Sequence, residues 1–402
     1  PHHHMHPVTP IECVDCHMPK RTYMQIDDRH DHSLRVPRPD LSIKYGTPNA
    51  CSNCHDEGDE WAMQQIIQYH GSRRRSHFSE TLLSGSRQHL DAERDLAELA
   101  NDPGQPPMAR ANALLLISGY ELGYSAEAVT HGLKDPEPLV RLHALRSVDR
   151  LDQNKRHGAL KRLLEDPIKA IRTDAARIAV EHLSDFTEPS ERALLLSVLE
   201  EYKAIQTQQS DLPEAHTNLA AISIALGQFD AAEKQLRNAL AIEPEWIPGL
   251  VNLADLYRRV GRDSEAGDIL ERAIAIKPPI AEAQIAYGMW LIRSGRPSDA
   301  LNQFQRSYEL EPDGLRNGYL YALALNANNR REQAIGVAEL AVDRFGDHRI
   351  LLELLATMYR DAESFDEALR YATRLEERFG GDVYRTLRAQ MLLAVRKRDG
   401  PS

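Results

Sequence analysis

The sequence predicts an all-α protein in which a short, ligand-rich segment precedes an α-solenoid. Three observations lead to this fold class. Small residues, glycine and proline recur every 34 positions in the C-terminal half, and an Asp-Pro dipeptide recurs at a step of 31 before it. All four cysteines fall within the first 55 residues, in two copies of one pattern. Self-similarity at such periods is typical of stacked helical repeats.

Composition narrows the function classes. The chain has 402 residues and a formal net charge of −11, which disfavours a nucleic-acid partner held by phosphate contacts. No apolar run approaches the roughly 18 residues of a membrane-spanning helix, so no membrane span is expected. The chain opens on Pro1 and shows no signal peptide, so it is expected to be mature, processed or incomplete, and a missing N-terminus could hold an export signal.

The cysteine pattern is Cys-x-x-Cys-His, the attachment signature of a covalent c-type haem. Two cysteines three apart lie on one face of a helical turn, so both sulfurs reach the two vinyl groups of one porphyrin. The next histidine is then held beneath the iron as proximal ligand. The two copies are Cys13, Cys16 and His17, followed by Cys51, Cys54 and His55. They predict two covalent haem c groups in a domain of residues 1–75.

Two alternatives use the same cysteines. A zinc site built from both Cys-x-x-Cys pairs is possible, although 34 residues separate the pairs and both histidines would stay unexplained. Two redox dithiols would require a βαβ context, which is not visible. The haem interpretation explains all six residues, so we adopt it.

A low-spin electron carrier also needs a second axial ligand on each iron. Ten of the 17 histidines fall in residues 1–77. His30 and His32 lie between the motifs, and we expect His32 to be one distal ligand. The opening "PHHHMH" supplies His4 and His6 as further expected ligands, with His2 and His3 beside them. Methionine could ligate instead and would raise the reduction potential, the candidates being Met5, Met18 and Met24.

The segment around these ligands is short, so the cofactors must supply much of its core. Cofactor loss is therefore expected to unfold it. Four residues could line a helix lying against a porphyrin face, and ordinary core packing makes almost the same prediction; they are Trp61, Ile66, Ile67 and Tyr69.

A helical repeat with a step of 31 follows. "DPEPLVRLHAL" begins at Asp135, "DPIKAIRTDAA" at Asp166, and an earlier copy with two extra residues at Asp102. Asp-Pro predicts a helix start, with Asp as the cap and Pro in the first turn. The arrangement resembles HEAT-type repeats, and we assign residues 76–205 to it. Arginines keep the same step, at Arg110, Arg141 and Arg172.

The 34-residue repeat predicts paired amphipathic helices. Small residues mark the helix crossings, glycine the turn, and proline the end of the second helix. Asn329 takes the place of the turn glycine and tolerates the same left-handed backbone, while Gly346 and Gly380 stand where proline stood. The recurring positions are Gly227, Gly261 and Gly295; Pro244, Pro278 and Pro312; Ala232, Ala266, Ala300, Ala334 and Ala368; and Ala220, Ala254, Gly288, Ala322 and Ala356.

This skeleton resembles the tetratricopeptide repeat (TPR) family. About five units over residues 213–382 fall in a domain of residues 206–402, which ends in a polar-faced capping helix. The resemblance implies a concave side that suits an apolar helix or an extended peptide with acidic flanks. The residues implied there are Ile285, Met289, Tyr319 and Leu323, with Arg258, Arg259 and Arg293 nearby.

Residues 1–75 resemble the C-terminal part of a multihaem cytochrome domain fused to TPR repeats in environmental bacteria. The resemblance is carried by "HHMH", "CVDCHMP", "RTYM", "DHSLRVPRPDLS" and "GTPNACSNCH". It implies His17 and His55 as proximal ligands and His32 as a distal ligand. It also implies that His3, His4 and His6 cap this haem or a neighbouring one. Family members carry further Cys-x-x-Cys-His units upstream, so a truncation or a partner bearing the missing haems is expected.

These features predict an exported electron-transfer protein, periplasmic or at the cell surface. Two haems would exchange electrons with a redox partner protein or a further haem-bearing segment. The solenoid would dock that partner or build an assembly, including self-assembly. A second hypothesis is a multihaem oxidoreductase subunit acting on a small nitrogen or sulfur compound, which needs an open iron position. A third is a structural adaptor that uses its haems as folding staples. No catalytic constellation stands out, so an electron carrier is expected rather than a catalyst.

Overall fold

The computed structural model describes residues 12–32, 34–71, 77–87, 92–120 and 123–399. The described residues form two compact units within residues 1–76 and 77–402. Apart from one two-stranded hairpin, their regular structure is helical, which confirms the all-α fold class. No helix among these residues combines the length and apolar character needed to cross a membrane.

The first unit is built from short elements. They are α1 (Cys13–His17), β1 (Lys20–Tyr23), β2 (Asp27–His30), α2 (Pro39–Tyr45), a 3-10 helix (Ala50–Asn53) and α3 (Gly58–His70). The two strands pair antiparallel in a register that sets Lys20 opposite His30 and Tyr23 opposite Asp27. Helix α2 packs against α3, and α1 packs against the 3-10 helix. The hairpin begins at Lys20, shortly after the first cysteine motif ends at His17.

The second unit begins with helices of the 31-residue repeat. They are α4 (Phe78–Ser86), α5 (Ala92–Asn101), α6 (Pro107–Ile117), α7 (Gly123–Gly132), α8 (Pro138–Leu145), a 3-10 helix (Val148–Arg150), α9 (Gln153–Leu163), α10 (Lys169–Ala179), a 3-10 helix (Val180–Asp185) and α11 (Pro189–Gln208). Leucine, isoleucine, valine and alanine side chains from these helices form one buried core.

The Asp-Pro prediction is wrong in its local detail. The helices begin at Pro107, Pro138 and Lys169, a few residues after each dipeptide. Each aspartate instead accepts a hydrogen bond at 2.9 Å from the backbone N–H two residues on; the pairs are Asp102 with Gly104, Asp135 with Glu137, and Asp166 with Ile168. This Asx-turn geometry competes with capping and holds the connecting loop.

Paired helices of the 34-residue repeat complete the chain. They are α12 (Pro213–Ala225), α13 (Phe229–Ile242), α14 (Ile247–Arg259), α15 (Asp263–Ala275), α16 (Ala281–Arg293), α17 (Pro297–Leu310), α18 (Leu315–Ala327), α19 (Arg331–Phe345), α20 (Arg349–Asp361), α21 (Phe365–Phe379) and α22 (Asp382–Asp399). Each turn has a left-handed residue: φ is 73° at Gly227 and 60° at Asn329. The turn of the fifth pair places Glu363 at φ 58°.

Candidate haem-binding segment

The first motif occupies a single helical turn that is fixed at both ends. At its start, the Glu12 backbone N–H donates to Asp15 Oδ2 at 2.9 Å. At its end, the Arg35 N–H donates to the His17 carbonyl at 2.7 Å. The turn leaves Cys13 exposed and Cys16 half-buried, so both thiols can be approached from outside.

The His17 ring is oriented by the backbone. Its Nδ1 lies 2.6 Å from the Arg35 carbonyl oxygen. A carbonyl can only accept, so Nδ1 carries the proton and Nε2 carries the lone pair. Ligating histidines are commonly oriented in this way by a bond from the other ring nitrogen. The ring of His17 therefore has the tautomer that a proximal haem ligand needs.

The second motif lies on the 3-10 helix and the turn after it. Asn49 Oδ1 accepts from the Cys51 N–H at 3.1 Å, and Asn49 Nδ2 donates to Asp59 Oδ1 at 2.8 Å. The His55 N–H donates to the Cys51 carbonyl at 3.0 Å. The His55 ring lies against the Trp61 ring, with centroids 4.3 Å apart. These bonds connect the motif to α3.

The two motifs are neighbours. Burial raises the pKa of the Cys16 thiol, and Asp15 and Cys54 raise it further. Burial also raises the pKa of Cys51, with Cys16 adding to the effect. All four cysteines are free thiols.

The raised thiol pKa values bear on the two alternative interpretations of the cysteines, a zinc site and a pair of redox dithiols. Redox dithiols and thiolate metal sites are favoured by a lowered thiol pKa, the opposite direction. In the described ranges, no group of three or more His, Cys, Asp or Glu side chains is arranged to hold a metal ion. Two Cys-x-x-Cys-His motifs packed against each other are compatible with covalent haem attachment.

The apolar surface of this unit supports the same conclusion. Its buried apolar residues, in the described ranges, are Pro39, Leu41, Ala62 and Met63. Many more apolar side chains are exposed: Tyr23, Met24, Ile26, Leu34, Val36, Ile43, Ile67 and Tyr69. Two porphyrin faces are apolar surfaces of the kind that would cover such side chains. Because Ile67 and Tyr69 are exposed, ordinary core packing does not explain them.

The expected distal ligands have different positions. His32 lies in an exposed turn after β2, and its ring has no hydrogen bond within the described residues. His4 and His6 lie outside the described residues, as do His2 and His3. His30, which sequence reasoning named only as a candidate, is half-buried, and its Nδ1 lies 2.7 Å from the Met18 carbonyl oxygen. This contact depends on the hairpin register, which the sequence did not reveal.

The surface expected on the concave side of the repeats is only partly present. Met289 and Leu323 are exposed, as expected, but Ile285 is buried with 5% of its surface accessible. It packs inside the helix pairs and cannot contact a ligand without rearrangement. Arg258 and Arg259 hydrogen-bond to Asp255, and Arg293 to Asp263. Their charges are thus partly balanced within the chain.

Family models match both parts of the chain. Residues 2–108 match cytochrome c552, and residues 223–287 match a tetratricopeptide repeat. The cytochrome match runs past the first compact unit into α6. It indicates a c-type cytochrome with covalently bound haem c, and the repeat match indicates protein–protein interaction. A comparison with curated proteins gives no match.

Solved structures of repeat proteins are similar to the chain. A structure of pilF from Pseudomonas aeruginosa has 20% sequence identity to this chain. The match covers 54% of this chain and 99% of that chain, with a TM-score of 0.39. A MamA from Desulfovibrio magneticus RS-1 is 17% identical, with 42% and 93% covered and a TM-score of 0.35. The YrrB structure, titled a TPR protein with an unusual peptide-binding site, is 16% identical, with 46% and 94% covered and a TM-score of 0.37. The chain thus fuses a haem-binding stretch similar to cytochrome c552 with tetratricopeptide repeats.

Proposed function

We propose that this protein is an exported multihaem c-type cytochrome that carries electrons through two haems. The observation that carries the proposal is the packing of two complete Cys-x-x-Cys-His motifs against each other in a unit with little apolar core of its own. Two haems attached there would lie close together, which suits electron transfer between them. Covalent attachment takes place outside the cytoplasm in the family that the segment resembles, so a periplasmic or surface location follows.

The cysteines and the histidine of each motif have different proposed roles. Cys13 and Cys16 would hold one haem, each thiol adding its S–H across one vinyl group to form a thioether, and Cys51 and Cys54 would hold the second. His17 and His55 would each supply an imidazole nitrogen to an iron. When bound, the haem irons would supply one-electron redox chemistry. The chain's own residues would orient these ligands and cover the porphyrin faces.

The helical repeats act as the docking part. Three apolar side chains of α16 and α18 are exposed: Met289 at 42%, Ile292 at 43% and Leu323 at 41%. Apolar side chains exposed on a repeat surface suit an apolar partner segment. We assign residues 76–205 to a HEAT-like array, supported by an arginine ladder in which Arg110, Arg141 and Arg172 each donate to a carboxylate of the following unit. A redox partner, another haem-bearing segment or a second copy would bind to this solenoid.

Low-temperature EPR of the oxidised full chain, with iron quantified per chain, tests the proposal. We expect two irons per chain and two low-spin ferric signals, because each iron has two axial ligands. A large high-spin signal would mean an open coordination position and would favour an oxidoreductase acting on a small nitrogen or sulfur compound. Absence of haem iron would overturn the cytochrome assignment altogether.

A further inference from the structure

The last described helix, α22, has two faces of different character. One face is turned towards α21: Met391 is buried, and Tyr384 and Leu387 pack against the core of the repeats. On the other face, Val383 is 76% exposed and Leu393 is 54% exposed. A helix that caps a solenoid normally presents a polar face to solvent. The exposed apolar side chains of α22 therefore indicate a contact surface.

The residues of this outer face have the spacing of a seam between two helices. Steps of three or four residues place side chains on one stripe of a helix. In α22 this outer stripe consists of Asp382, Thr386, Ala389, Leu393 and Lys397, all of them exposed. Its middle three residues carry no charge, so charged side chains stand only at its two ends.

The end charges of the outer stripe are opposite in sign, because Asp382 lies in the first turn of α22 and Lys397 in the last. Two copies of α22 packed antiparallel would bring Asp382 of each copy beside Lys397 of the other. Parallel packing would instead bring like charges together. The antiparallel register also sets Thr386 against Leu393 and places Ala389 near the centre. A small side chain at the centre lets two helices approach closely.

The charges beside the outer stripe are compatible with this packing. Arg385 pairs with Asp382 of its own helix at 2.7 Å and with Glu376 of α21 at 3.8 Å. The pair with Asp382 is exposed to solvent and contributes little, so Asp382 is available to a second cation. Arg385 would then keep Glu376. Arg396 adds another positive charge at the end of α22 that would meet Asp382 of the other copy.

We propose that the outer stripe of α22 is a self-association surface through which two copies of this chain pair antiparallel. A symmetric contact of this kind uses the same patch on both copies and closes at two. A single helix pair is a small interface, so the dimer forms reversibly. The inference goes beyond the proposed electron-carrier function and does not depend on it, since α22 belongs to the repeats.

Sedimentation velocity of the full haem-loaded chain over a concentration series tests the pairing. The wild type should change from one copy to two as its concentration rises. Leu393→Glu should weaken the dimer by about tenfold or more, because the contact would bury a charge without a partner. Leu340→Glu is the matched control: Leu340 is a similarly exposed leucine on another helix, α19, so the dimer should be unchanged. A wild type that stays monomeric, or equal effects of the two substitutions, would overturn the proposal.

Charge reversal tests the antiparallel orientation. Asp382→Lys alone and Lys397→Glu alone should each weaken the dimer, because each sets like charges side by side. Both changes in one chain should restore it, since the two pairs are rebuilt with their signs exchanged. A double variant that associates no better than the single ones refutes the antiparallel pairing. Neither failure would alter the iron content or the EPR signals expected above, so this proposal and the proposed function fail separately.

Discussion

At the scale of single residues, the contact between α15 and α16 depends on a residue without a side chain. Gly267 in α15 faces the indole of Trp290 in α16, and a Cβ built on Gly267 would lie 2.3 Å from Trp290 Cζ2. The indole cannot move easily, because Trp290 Nε1 donates to the Asp263 carbonyl at 2.8 Å and its ring stacks on Tyr287. The 34-residue pattern marked Gly288 as a crossing residue but gave no signal for Gly267, whose role depends on one neighbouring side chain.

Gly267→Ala is therefore expected to destabilise the repeats by about 1–3 kcal/mol, the cost of overpacking a filled site. Gly336→Ala is the matched control. Gly336 lies inside α19 with nothing within 4 Å of a built Cβ, so its replacement should stabilise by roughly 0.4–1 kcal/mol. Urea unfolding followed by circular dichroism measures both changes. Equal effects of the two substitutions would show that the Trp290 contact does not matter.

At the scale of elements, the turns of the repeats carry a local strain. Glu363 connects α20 to α21 at φ 58°, where the earlier turns have glycine or asparagine. The left-handed backbone destabilises the folded state by about 1–2 kcal/mol for a residue with a Cβ. Glycine avoids this cost, but ordering its more flexible unfolded chain costs roughly 0.5–1 kcal/mol. Glu363→Gly should thus stabilise by about 0.5–1 kcal/mol and raise Tm. Asn329→Gly should give a smaller gain, since asparagine tolerates this backbone; a loss of stability in Glu363→Gly would contradict the argument.

The arginines of the 31-residue repeat connect successive units. Arg110 donates to Asp135, Arg141 to Asp166 at 2.8 Å, and Arg172 to Glu201 at 2.7 Å. Arg141 Nη1 also donates to the carbonyls of Asp135 and Pro136. The sequence showed the arginine period, but its partners lie in the following unit and became visible only in the fold.

Arg141→Ala should destabilise the chain by about 3–5 kcal/mol, because Asp166 is 5% exposed and would keep a buried charge without its partner. Arg94→Ala is the control. Arg94 pairs with Glu98 on the open surface of α5, where both side chains are more than half exposed, so its loss should leave the unfolding midpoint unchanged. Guanidinium unfolding compares the two variants. Similar midpoints would mean that the ladder contributes nothing beyond a surface pair.

The repeated helix pairs could be predicted from the sequence, whereas structural features that occur only once could not, unless their chemistry is local. The 34-residue period predicts the helix pairs because each unit presents the same contacts again. The hairpin between β1 and β2 was missed because Met24 and Gln25 adopt positive φ without the glycine or asparagine that normally signals such a turn. The cysteine motifs were found because their chemistry is local. The hydrogen bond of His30 depends on the hairpin register, so it could not be found without the fold.

At the scale of the whole molecule, apolar burial is distributed unevenly. The helices from α5 onward bury large sets of leucine, alanine and aromatic side chains. The described part of the first unit buries only four apolar residues and leaves apolar side chains such as Ile26 and Val36 exposed to solvent. A segment with so little apolar burial cannot offset the conformational entropy of ordering its chain. In the proposed cytochrome, covalently bound haem would provide the missing core.

The last prediction is that haem removal unfolds the first unit and leaves the repeats folded. It can be tested on the full chain with Cys13, Cys16, Cys51 and Cys54 all replaced by serine, beside the haem-loaded protein. Hydrogen exchange followed by mass spectrometry should show amides of residues 12–71 losing protection, because binding stabilises only the folded state. Amides of residues 123–399 should exchange at the same rate in both, since their own side chains form their core. Retained protection in residues 12–71 would mean that the hairpin and α2–α3 are stable alone, and that haem is carried by an already folded segment.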